Sequence, residues 1–168
     1  MGTLLATLCL FGFLAAPMQS ARVQRDLAKE KLQYDRADSA VRQAKALGKL
    51  GREEYTAARQ AIDAGRIAES LQFLKDYNQQ AIDTHAALLK TGVDPAKHSD
   101  GFRQLQISVR ERERDLNALI RRVGFEQSQP FEELQKNLDG LNQKLIQELF
   151  PRRSPNKQTR DEQKDARR

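Results

Sequence analysis

The sequence predicts an all-α fold, an antiparallel bundle of four main helices, and three observations carry that prediction. Apolar residues recur at alternating intervals of three and four along most of the chain, the spacing that gathers them on one helix face. Beyond residue 21 the chain is dominated by Leu, Ala, Gln, Glu, Lys and Arg, which favour helices, and tryptophan is absent. Gly, Pro, Ser and Asp gather at only a few places between the periodic stretches.

Residues 1–21 read as an export signal. They carry no charged side chain up to Ser20, and a largely apolar run extends from Leu4 to Pro17. That run is shorter than the roughly twenty apolar residues of a membrane span and ends in small residues, so cleavage is expected near Ser20 or Ala21. The alternative is a retained anchor through residues 2–18, favoured by the position of Arg22 and Arg25 on the far side of the run. Cys9 is the only cysteine, and bulky Leu8 before it does not suit a lipid-attachment site. A processed chain would contain no thiol, which excludes disulfides, thiolate zinc sites and cysteine nucleophiles.

About 147 residues follow the signal, the usual size of one domain with one core. A single helical domain is expected over 22–150, as hairpins 22–90 and 100–150. Its first helix begins near Arg22 and turns Leu27, Tyr34, Ala37, Val41, Ala44, Leu47, Tyr55, Ala58 and Ile62 inward. Gly48 and Gly51 should kink or break it, and a break there would create a fifth helix. The Asp63–Arg66 turn is tight, with Gly65 placed for the left-handed conformation. A second helix over 66–90 faces inward through Ile67, Leu71, Leu74, Ala81, Ile82, Leu88 and Leu89, its stripe interrupted by Asn78 and His85.

Thr91–Asp100, with Gly92 and Pro95, is the longest expected loop of the body. The next helix keeps its rhythm through Phe102, Leu105, Val109, Arg112, Leu116, Leu119 and Val123. Arg112 is a charge on an apolar seam, expected to snorkel or to pair with an acid from another helix. The alternating charges of Arg110–Asp115 read as a solvated, ion-paired surface. Gly124–Gln129 is expected to connect to a last helix whose first turn holds Pro130, Glu132 and Glu133. Phe131, Leu134, Leu138, Leu141, Leu145 and Leu149 form its stripe, with Ile146 widening it, and Gly140 marks a close contact or bend.

Ala57–Leu74 has the alanine and glycine spacing of a helix-turn-helix repeat and loosely resembles a tetratricopeptide unit. A solenoid needs several such units to bury a continuous core, and no second copy follows, so none is expected.

Residues 151–168 form a basic segment expected to be disordered. Arg152, Arg153, Lys157, Arg160, Lys164, Arg167 and Arg168 outnumber its acids and carry +4 of the net charge of +6. The body is therefore nearly neutral, weak grounds for a nucleic-acid surface, whereas the tail suits anionic lipid or another polyanion.

No residue set points to catalysis, a cofactor or a metal. His85 and His98 lie thirteen residues apart, off the three- or four-residue spacing of helical ligand pairs. No serine stands in a nucleophile elbow or phosphate loop. Glu53–Glu54 and Glu132–Glu133 read as first-turn dipole partners. The expectation is a non-enzymatic, exported structural or protein-interaction module of the cell envelope, with a protein partner or self-association. A holdase chaperone, by analogy of size and charge with small basic periplasmic chaperones, and an anionic-surface binder are the alternatives. Export would put nucleic acid out of reach. Asn78, His85 and Arg112 are the polar seam positions through which the helices could set their register.

Overall fold

The computed structural model describes residues 16–151 and folds them into five helices: α1 (Ala16–Asp35), α2 (Ala40–Asp63), α3 (Ile67–Lys90), α4 (Asp100–Ile120) and α5 (Phe125–Leu149). The protein is all-helical as its composition predicts, and there is no strand among the described residues. No helix among them is long and apolar enough to cross a membrane. The expected signal falls largely outside the described residues, and so does the tail from Arg152 onward; the expected cleavage position, Ser20/Ala21, lies within α1.

The chain breaks ahead of the two glycines, at residues 36–39, so the fifth helix arises there and not at Gly48–Gly51. Ser39 supplies the reason. It is extended (φ −147°, ψ 150°), and its hydroxyl accepts the Arg42 N–H at 3.3 Å, capping a donor that the first turn leaves open. α2 then runs unbroken through both glycines. Gly65 adopts φ +74°, and the N–H groups of Gly65 and Arg66 close the end of α2 on Ile62 and Ala61 at 2.9 and 2.7 Å.

The last helix also starts earlier than expected. Gly124 precedes its first turn, so Pro130 is an interior residue and Glu132 and Glu133 lie in its third turn; the acid of the first turn is Glu126. Gly140 meets nothing within 4 Å of where its Cβ would stand and marks no contact.

α2 is the hub, packing against α1, α3 and α4, while α5 packs on α4 and α3. Within each hairpin the helices run antiparallel: Gln80 of α3 reaches back to Glu54 of α2, and Gln106 and Asn117 of α4 bond Asn142 and Gln135 of α5. Between hairpins, like helices run parallel. Gly101 lies beside Val41, Gly48 faces Ser108, Gly51 faces Arg112, and Asp63 binds Arg122.

Burial repeats with this stacking. Ala44, Leu47, Gly51, Glu54, Ala58 and Ala61 of α2 are buried, and each has a buried counterpart 58 positions later: Phe102, Leu105, Val109, Arg112, Leu116 and Leu119. Leu74, Tyr77, Ala81, Thr84 and Leu88 of α3 are matched 57 positions later by Phe131, Leu134, Leu138, Leu141 and Leu145. The spacing recurs, while the residues do not.

Tyr77, Phe102 and Phe131 are the largest fully buried side chains of the single core cluster. Four expected stripe residues face outward: Ile146, Val41, Ile82 and Leu89 are 36, 37, 42 and 48 % exposed. Ile82 and Leu89 yield the inward face of α3 to Ser70, Tyr77 and Thr84, whose hydroxyls make them poor candidates on hydropathy alone.

Candidate functional site

The interior of the first hairpin and its seam with α4 hold an unusual number of polar groups. Glu54, in the middle of α2, is 3 % exposed and is not a first-turn dipole partner. Its Oε1 accepts the Gln80 amide at 2.8 Å, while its Oε2 and Gln80 Oε1 lack partners. Burial raises the Glu54 carboxyl to about 8; the Gln80 hydrogen bond opposes this, Asp76 adds to it and Lys31 opposes it. Near neutral pH Glu54 is therefore chiefly the neutral acid. One turn away, the Tyr34 hydroxyl of α1 lies 2.9 Å from Thr84 Oγ1 and 3.1 Å from the Gln80 carbonyl, tying α1 to α3.

Across α2, the Tyr77 hydroxyl meets Ser108 Oγ at 2.9 Å, joining α3 to α4, and the Tyr55 and Tyr77 rings stand edge to face at 5.5 Å. Both phenols are pushed up by burial, so neither ionises near neutral pH. Arg112 is buried among them with its guanidinium 5.5 Å from the centre of the Tyr55 ring. The acids that bind it come from its own helix, not from another: Asp115 at 2.9 Å and Glu111 at 3.3 Å, both reaching in from half-exposed positions.

The remaining seam positions lie apart. His85 is clamped by Glu148 of α5, Nε2 to Oε2 at 2.9 Å, and its ring meets Phe102 edge-on. Asn78 is buried on α3 with an unpartnered Oδ1. The three polar seam residues thus lie apart and do not form one centre. His98 lies in the 91–99 loop beside a cavity of about 470 Å³ lined by Val41, Leu88, Val93 and Phe102. No group of three or more His, Cys, Asp or Glu among the described residues is placed to hold a metal ion.

Sequence reasoning missed Glu54, Tyr77 and Ser108. The signal that would have found Glu54 is its place in the three-and-four spacing from Ala44 to Ala61. A second missed feature is a cleft of about 240 Å³ between α2 and α4, whose lining includes Arg52, Arg59, Arg112 and Arg122. Compared with known proteins, the chain matches no family model, no curated protein and no solved structure.

Proposed function

We propose that the protein is an exported, non-enzymatic helical module of the cell envelope that acts through its surfaces on a protein partner or on a second copy of itself. The observation that carries this reading is the apolar end of the molecule. His85 of α3, Phe102 of α4 and Glu148 of α5 meet there. Around them Leu89, Val93, Ile146 and Phe150 stand 36 to 73 % exposed, and Phe150 directly precedes the basic segment in the sequence. Exposed apolar side chains grouped at one end suit a protein surface, and the basic sequence that follows Phe150 suits one with acidic groups. The Tyr34–Thr84, Tyr77–Ser108 and Glu54–Gln80 contacts support the same reading, since they join helices in the interior.

The same end favours a holdase chaperone as the second reading, because exposed Phe150 and Leu89 could cover apolar stretches of an unfolded client. The antiparallel hairpins give either role a stable base.

Light scattering of the full chain and of a Leu89→Ser/Phe150→Ser variant tests the proposal. Concentration-dependent association by the parent and its loss in the variant are expected. A parent that stays monomeric and leaves unfolded envelope proteins free to aggregate would remove both readings. Intact mass from fractionated producing cells tests export: a species shorter by about twenty residues in the periplasm is expected, and a full-length cytoplasmic species would end that part of the proposal.

A further inference from the structure

Two of the arginines between α2 and α4, Arg52 and Arg59, take no part in the ion pairs that join these helices. Arg52 and Arg59 are seven residues apart, two helical turns along one face of α2, and both are exposed. Neither forms an ion pair with the acids around the cleft: Asp115 binds Arg112, and Asp63 binds Arg122 at 2.9 Å. Because α2 and α4 run parallel, Arg112 and Arg122 face these two residues across the cleft, and Asp115 is the one acid in its lining.

The wall of the cleft has a deficit of acceptors. Tyr55 and Arg112 line it and are only 4 and 7 % exposed, yet the Tyr55 hydroxyl and Arg112 Nε have no hydrogen-bond partner among the described residues. Buried donors are seldom left unpaired. Both residues line the cleft and both atoms are buried, so a ligand bonding them displaces the Tyr55 and Arg112 side chains. The missing component is an acceptor with negative charge.

We propose that this cleft binds an oxyanion of the phosphate class, as a free ion or as a phosphate ester. Guanidinium forks match the oxygen edges of phosphate two at a time, and Arg52, Arg59 and Arg122 supply such forks from both walls. Arg112 lies beneath them with its charge met by Glu111 and Asp115, and the ligand oxygens supply the acceptors that Tyr55 and Arg112 Nε lack. A volume of about 240 Å³ admits a diphosphate. The site is independent of the apolar end and of the basic segment, so it stands or falls apart from the surface-module reading.

Calorimetric titration of the full chain with pyrophosphate at fixed ionic strength tests it, using two variants that lose the same charge. Arg52→Gln/Arg59→Gln removes the unpaired arginines of the cleft; Arg110→Gln/Arg114→Gln removes two exposed arginines of α4 outside its lining. The first should weaken binding at least tenfold and the second less than twofold, with unchanged circular dichroism. Tyr55→Phe, which deletes only an unpartnered hydroxyl, should weaken binding while leaving the fold intact. Glycerol phosphate binding more tightly than inorganic phosphate would assign the site to an ester, and the reverse order to the free ion. Equal losses in the two arginine variants, or no binding by the full chain, would overturn the proposal.

Discussion

Tyr77 occupies the space where a side chain at Gly51 would stand. A Cβ built on Gly51 comes within 2.7 Å of the Tyr77 ring and closer still to its neighbouring carbon, so α3 approaches α2 here only because position 51 has no side chain. Gly51→Ala should therefore cost about 2 kcal/mol, since displacement of the ring outweighs the gain in helix propensity. Gly48 and Gly140 meet no such obstacle, and alanine at either should stabilise by up to about 1 kcal/mol. Denaturant midpoints of the three variants check both signs.

Stability should fall with rising pH between about 4.5 and 8 because of Glu54. Its carboxyl titrates near 4.5 when unfolded and at about 8 when folded. Below 4.5 both states hold the proton and the favourable term is fully present. Between the two values the unfolded chain releases a proton that the folded chain keeps, so stability is lost at up to about 1.4 kcal/mol per pH unit. Glu54→Gln keeps the neutral shape and should flatten that slope, with its largest advantage near pH 8. Equal slopes for parent and variant in urea titrations would refute the assignment.

Arg112→Met should be mild, within about 1 kcal/mol of the parent in stability. The usual penalty for breaking a buried ion pair comes from the charge left behind. Here the acids left behind, Glu111 and Asp115, are half-exposed and would be solvated. Thermal unfolding of the variant checks this, and a loss of 3 kcal/mol or more would mean that Arg112 does more than fill its seam.

Ser39→Ala should destabilise by about 1 kcal/mol, the usual worth of an N-cap. Its effect should appear as fraying at the start of α2, measured as faster amide exchange at Arg42 and its neighbours.

The two C-terminal helices were legible in the sequence because their stripes are apolar almost without interruption, from Phe102 to Leu119 and from Phe131 to Leu149. The boundary at 36–39 was not, because Tyr34, Ala37 and Val41 keep helical spacing across it and mask the Asp38–Ser39 start signal. Gly48 and Gly51 resembled breakers, yet a helix glycine costs only about 1 kcal/mol, which close packing of Tyr77 offsets. Ile82 and Leu89 were placed inward on hydropathy, and the hydroxyl-bearing Tyr77 and Thr84 took that face because partners on α1 and α4 satisfy them. The Glu54 site hid behind the rule that carboxylates stay in water. For the arginine cleft, the spacing of Arg52 and Arg59 was readable, but its second wall depends on α2 and α4 running parallel, which no local signal encodes.

The chain has three tyrosines and no tryptophan, and Tyr34, Tyr55 and Tyr77 are all within 5 % of full burial around the hub helix. Near-ultraviolet emission of the native protein therefore originates wholly from its interior. Two of these phenols are bonded to hydroxyl partners and one is not, and all three are shielded from a dissolved quencher until the core opens. The molecule carries its own optical probe of core integrity, and no label is needed to follow it.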